Sequence, residues 1–203
     1  MSTTTSGGRT PRADAQRNRD HILDVAEQYF SEHGVTGSLD AIAKRAGVGA
    51  GTLYRHFPNR EALLAALLGA RDDQLERQRD AIRQGATDAA GALHEWLVAL
   101  TDWASAFDGL PEPLRAAMSV EASPLALTCQ GYIVTTDAFL ADAQREGSAR
   151  SDVRGRDLFL VALATSWARG AAMADETSAE AMANLTRTGW STSTKERGTG
   201  RPR

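Results

Sequence analysis

The chain has a single cysteine, Cys129, and only four histidines, and it has no run of about 18 uncharged apolar residues. One cysteine excludes an internal disulfide, and the want of a charged-then-apolar leader or a spanning segment predicts a soluble, cytoplasmic chain with no membrane partner. His21, His33, His56 and His94 are scattered without metal-ligand spacing, and Cys129 has no histidine at catalytic spacing, so no metal, no cofactor and no enzymatic site is expected. Cys129 reads as a small apolar core or pocket-wall residue, with a redox sensor as the alternative. The glycine-rich run GVGAGT at 47–52 lacks the lysine of a phosphate-binding loop and follows a helical pattern where such a loop needs a strand. Asn184-Leu185-Thr186 matches the glycosylation triplet by chance, since nothing directs the chain to a secretory compartment.

What is present is enough apolar content, 42% of 203 residues, for a real core. The formal charge of −3 hides an asymmetry. Residues 1–60 carry 8 Lys/Arg against 6 Asp/Glu, residues 61–190 carry 11 against 19, and residues 191–203 carry 4 against 1. A neutral-to-basic end that tolerates phosphates is joined to an acidic body, which implies two jobs.

The pattern between the polar ends is helical, with no sustained strand alternation and no repeat. Ile22, Val25, Ala26, Tyr29 and Phe30 share one face of a helix that Gly34 stops. Ser38 caps a short helix through Arg45, Gly47 breaks it, and another runs from Ala50 to just before Pro58. Asn59 caps a helix over 60–84 that links the two halves. Asp88 to Phe107 forms the next, Leu114 to Met118 a short one after Pro111 and Pro113, and Ser123-Pro124 opens one running toward Gly147. Asp152 precedes the penultimate helix. Thr177 and Glu180, in capping-box spacing, introduce the last, which closes at Gly189. The expected architecture is all-α: a flexible basic arm at 1–13, a three-helix helix-turn-helix domain at 14–60, a helical ligand-binding and dimerisation bundle at 61–190, and a disordered tail at 191–203.

The informative stretch is SLDAIAKRAGVGAGTLYRHF, residues 38–57. Two short helices joined by a tight turn must cross closely, and Ala43 and Gly47 supply the small residue and the turn that this needs. Leu53 and Phe57 point inward one turn apart, which leaves Gly51, Thr52, Tyr54, Arg55 and His56 outward. That polar, aromatic and cationic set suits a major groove of double-stranded DNA.

Together with ILDVAEQYFSEHG before it and PNREALLAAL after it, this segment resembles the tetracycline-repressor (TetR) family of transcriptional regulators over residues 17–68. Beyond residue 70 the likeness is only that of an all-helical acidic body. The resemblance implies that Thr52, Tyr54 and His56 face DNA, Tyr54 and His56 mostly on phosphates, with Lys44 and Arg60 flanking. Arg55 occupies a place that varies in the family, and we expect it to read guanine through two hydrogen bonds. Ala50 and Gly51 permit close approach, with Ala50 against a thymine methyl. Arg9, Arg12, Arg17 and Arg19 form a basic arm and first turn that follow phosphates or enter a minor groove.

The expected function is a repressor released from a palindromic operator by a small-molecule effector. The alternative is an all-helical binding protein or enzyme whose N-terminal bundle is merely structural. Palindromic sites call for a homodimer, with Phe159, Leu163, Trp167, Met182 and Leu185 on the exposed faces of the last two helices. Trp96, Trp103, Phe107, Met118, Cys129, Tyr132, Phe139 and Trp167 are expected around a largely apolar effector pocket, suited to a mostly apolar, cationic or aromatic ligand.

Overall fold

The computed structural model describes residues 11–120, 123–171 and 174–192. Nine helices are present among them: α1 (Pro11–His33), α2 (Leu39–Arg45), α3 (Ala50–His56), α4 (Arg60–Gly85), α5 (Ala89–Ala104), α6 (Pro111–Ala117), α7 (Pro124–Arg145), α8 (Gly155–Arg169) and α9 (Glu176–Trp190). Arg9 lies outside the described residues, as does the side chain of Arg12; helix α1 already starts at Pro11, inside the stretch expected to be an arm.

Local chemistry sets most of the boundaries. Ser38, Asn59, Asp88 and Ser123 each accept a hydrogen bond from a backbone N–H of the first turn that follows, and so satisfy a donor that the helix leaves open. Helix α6 starts three residues earlier than expected because Pro111, at its first position, brings a fixed φ and no N–H to satisfy. At α9 the cap is Asp175 and not Thr177: the Asp175 carboxylate accepts from the backbone of Thr177 and Ser178, and the Ser178 hydroxyl accepts from the backbone N–H of Asp175. A carboxylate at the N-terminus outcompetes a hydroxyl two residues on, because it also meets the positive end of the helix dipole. Helix α9 passes Gly189, and the chain then pairs back, with Ser191 bridging Ala149 and the Thr192 N–H donating to the Ser148 carbonyl at 3.0 Å. These two residues correct the expectation that the tail begins at 191.

The core runs through both halves. Ile22, Ala26 and Phe30 of α1, Ile42 of α2, Leu53 of α3 and Leu63, Leu64, Leu67 and Leu68 of α4 fill the first half. In the second, α5 is the central element, flanked by α4, α7 and α8, with α6 against α7 and α8 and α9 against α8. Trp96, buried on α5, donates its indole N–H to the Thr136 hydroxyl of α7 at 2.9 Å and stacks on Phe139. The halves meet at a seam. The Val35 N–H donates to the Asp108 carbonyl at 2.9 Å, and Phe30 meets Phe107 edge to face with centroids 6.2 Å apart. Arg71 of α4 lies over Phe107 and pairs with Glu27 of α1 at 3.2 Å.

Several body residues sit differently from expectation. Phe159 and Leu163 are buried in the protomer's own core and present no exposed face. Trp167 is 67% exposed and so lies on the surface, not around an interior pocket. Leu185 is exposed and Met182 half-buried. The aromatic set divides: Trp96 and Tyr132 line a cleft between α4, α5 and α7, Phe107 shares a separate surface cleft with Trp167, and Trp103, Cys129 and Phe139 are packed, with Met118 half-buried beside them. Burial pushes the Cys129 thiol up to about 12, so it is held protonated, and it contributes packing and not thiolate chemistry.

Candidate nucleic-acid interface

Helix α2 ends in a geometry that fixes where α3 begins. Gly47 takes φ +66°, the left-handed region, while its N–H donates to Lys44 and that of Val48 donates to Ala43. This pair of bonds closes the last turn, and only glycine adopts that φ without strain. The reason for glycine here is conformation and not crowding, since a Cβ at Gly47 would meet nothing within 4 Å.

Seven residues are too few for α3 to stand by itself. Leu53 is fully buried, and Phe57, whose N–H closes the helix onto the Leu53 carbonyl at 2.8 Å, is buried one turn on with the Arg19 guanidinium 5.1 Å from its ring centre. With these two side chains inside, the opposite face is committed to solvent: Ala50, Gly51, Tyr54 and Arg55 are exposed, and Thr52 and His56 are half-buried at its edges. Gly51 has open space where a Cβ would lie, so nothing within the chain demands a glycine there. No acidic residue lies on α3.

The cations around this face differ in availability. Lys44 and Arg55 are exposed and form no ion pair among the described residues. Arg45 is taken up by Glu32 through two bonds of 2.6 and 2.8 Å, and this hydrogen bonding holds the Glu32 carboxyl below its ordinary range. Arg17 pairs with Asp14 three residues earlier on α1. Arg60, expected to flank the interface, is turned inward: it donates to the Val35 carbonyl and lies over the Phe30 ring, 5.9 Å from its centre. It braces the loop that enters α2. The sequence reading did not identify that brace, nor the stack of Tyr29 on His33 at 4.3 Å, against which Gly37 fits so tightly that a Cβ would approach the Tyr29 ring to 2.5 Å.

Comparison with known proteins decides what this arrangement is. Residues 22–67 match the family model described as bacterial regulatory proteins, tetR family, and residues 88–191, just over half of the chain, match that of the SbtR-like transcriptional regulator C-terminal domain. The chain belongs to the TetR family. A TetR transcriptional regulator of Streptomyces coelicolor is 32% identical, with 86% of this chain and 99% of that one aligned at a TM-score of 0.54. The reduced form of NemR from E. coli, 19% identical with a TM-score of 0.60 over 88% of this chain and 99% of its own, shares the fold. An HTH-type transcriptional regulator of Staphylococcus aureus is 47% identical over 53 residues, which are 26% of this chain and 29% of that protein. The match to such curated relatives therefore spans less than a third of their length, while family membership rests on the body as well as the head.

The inward role of Arg60 in this TetR-family protein carries a test. Arg60→Ala removes the bond to Val35 and the contact with Phe30 and is expected to cost about 1 to 3 kcal/mol in urea unfolding. An unchanged midpoint would show that the guanidinium contributes nothing to the fold.

Proposed function

We propose that this protein is a dimeric, ligand-responsive transcriptional repressor that reads an inverted-repeat operator through α3. The observation that carries this reading is the division of α3 into a buried face, Leu53 with Phe57 beyond it, and an outward face of Thr52, Tyr54, Arg55 and His56 free of acidic residues. A rigidly anchored helix with hydroxyl, imidazole and guanidinium groups outward matches the width and hydrogen-bonding pattern of a B-DNA major groove. Tyr54 and His56 bind phosphates and set the register, Lys44 adds a phosphate contact beside them, and Thr52 faces the groove. Gly51 and Ala50 let the helix N-terminus approach closely, and Arg55 reads a guanine edge. The inward Arg60 does not enter this set.

Mutation and salt separate these roles. Arg55→Ala is expected to relax preference at one symmetric pair of operator positions, at about 1 to 3 kcal/mol, while Tyr54→Phe and His56→Ala weaken all duplexes alike. Wild-type affinity, followed by fluorescence anisotropy, should fall steeply with salt as counterions are released. Uniform weakening by all three variants contradicts the assignment of Arg55, and affinity indifferent to salt contradicts duplex binding.

Two reading heads require two copies. The surface that suits self-association is apolar and lies on α8 and α9: Leu160 and Trp167 stand two turns apart on α8, and Leu185 is 73% exposed on α9. A two-fold pairing of these helices buries them in a four-helix bundle. Trp167→Glu combined with Leu185→Glu should convert a dimer to a monomer in sedimentation velocity, and a chain that is already monomeric at micromolar concentration would refute the dimer.

The effector reading rests on the cleft that Trp96 and Tyr132 line. A ligand there acts on α4, the helix whose first turn leaves the reading head, and on α5, whose following loop holds the Val35–Asp108 seam. A body conformation favoured by the ligand thereby moves the two heads off their spacing, with a coupling free energy of about 1 to 3 kcal/mol.

A further inference from the structure

Helix α4 buries Leu64, Leu68 and Leu75 along one stripe, and on that same stripe, four residues after Leu68 and three before Leu75, stands Asp72. The carboxylate is half-buried, and burial pushes it above its ordinary range, opposed by the hydrogen bond it accepts from the Tyr132 hydroxyl. Trp103, 5% exposed, turns its indole N–H toward the same carboxylate and helps to hold it charged, without forming a hydrogen bond of full geometry. An acidic group taken partly out of water costs free energy unless a cation or a full set of donors meets it.

The surroundings are those of a binding cleft. Asp72, Glu76, Arg79, Trp96, Leu127 and Tyr132 line a space of about 330 Å³, at the small end of ligand pockets. Tyr132, the donor to the acid, meets Trp103 edge to face at 4.7 Å and Trp96 at 6.1 Å, and Trp96 and Tyr132 give the cleft its aromatic wall. The guanidinium in this lining, that of Arg79, is bonded to Asp80 at 2.9 Å and also lies within electrostatic reach of Glu76. Among the described residues neither Asp72 nor Glu76, one turn on and exposed, forms a salt bridge. The cleft thus has surplus negative charge and aromatic walls, and both features attract an organic cation: the carboxylate through charge, the rings through the negative faces of their π systems. Burial and the adjacent Asp72 keep the Tyr132 phenol well above its ordinary range, so it remains a proton donor toward the carboxylate and does not compete as an anion.

We propose that the effector of this protein is an organic cation, a protonated or quaternary amine on a compact aromatic or aliphatic body, with Asp72 as its counterion and Glu76 at the mouth. This rests on the ligand-responsive reading above and narrows it to a chemical class. Anions are disfavoured by the two carboxylates, and neutral ligands offer Asp72 no opposite charge beyond the hydrogen bond it already accepts from Tyr132.

The test uses the full chain and a set of aromatic quaternary ammonium ions headed by benzyltrimethylammonium. Each is paired with its uncharged carbon isostere, neopentylbenzene for the first, and with an anionic counterpart, benzylphosphonate. Titration calorimetry should show binding of cations, weakened about tenfold or more by Asp72→Asn, with any neutral isostere changed less than about threefold. Asparagine keeps an acceptor for Tyr132, and a circular-dichroism melt checks that the variant folds. Where it does not, Glu76→Gln, on the exposed mouth, is expected to weaken the cation about threefold. The proposal is overturned if isosteres or anions bind as tightly as cations, if no cation in the set binds, or if the folded variant binds the cation as the wild type does. Operator affinity measured with each bound compound keeps the two readings apart. A neutral or anionic binder that loosens DNA preserves ligand response and defeats the cation, whereas a cation held by Asp72 that leaves DNA affinity untouched does the reverse.

Discussion

Everything outward on α3 depends on two side chains that point the other way. A seven-residue helix has too few internal hydrogen bonds to offset the cost of starting it, so its existence and its orientation both come from burying Leu53 and Phe57 among Ile22, Ala26, Ile42 and Leu63. Rotating α3 by even a quarter turn would bring Tyr54 or Thr52 toward the core and Leu53 toward water, and burying a full leucine is worth roughly 1.5 to 3 kcal/mol. The left-handed Gly47 fixes where the helix starts, the buried pair fixes its rotation, and Arg19 over the Phe57 ring holds its end. The outward residues proposed to meet DNA are therefore held in place by a face that they do not share.

The same logic links the head to the body. Helix α4 runs unbroken from Arg60 to Gly85, so Asp72 lies about 18 Å along the axis from its start. A group bound at Asp72 would therefore touch an element whose first turn is clamped to the Val35 and Phe30 region of the head through Arg60. The seam at Val35 and Asp108 provides a second route, because the loop after α5 contacts the head directly. Head and body are thus joined at two places, one at the start of α4 and one after the end of α5. Charge divides along the same line, with carboxylates gathered in the body and, on the head, the exposed cations Lys44 and Arg55, which form no ion pair among the described residues.

Much of this was legible in the sequence where the cause is local. Caps at Ser38, Asn59, Asp88 and Ser123 are short-range chemistry, and so are the stops at Gly34, Gly47 and Gly147, all of which take positive φ. The face of α3 was readable because Leu53 within it and Phe57 just after it are large apolar residues one turn apart. Helix α8 was not: its run Leu158 to Ala162 is apolar on every side, so periodicity names no inner face, and only packing against α5 and α7 decides that Phe159 and Leu163 go in while Trp167 stays out. Arg60 shows its charge in the sequence but not its direction. Asp72 did leave a signal, an acid at helical spacing on a leucine stripe, and its aromatic neighbours Trp103 and Tyr132 come from helices 30 and 60 residues further on, which only the fold brings together.

The central claim is that α3 reads a specific duplex sequence in two symmetric copies. Selection of bound fragments from a random duplex library tests it most directly. The account predicts enrichment of an inverted repeat whose half-site centres lie about 34 to 36 Å apart, or a multiple of that, with a guanine in each half-site. Recovery of fragments with no shared sequence, or of a single unrepeated site, would contradict it.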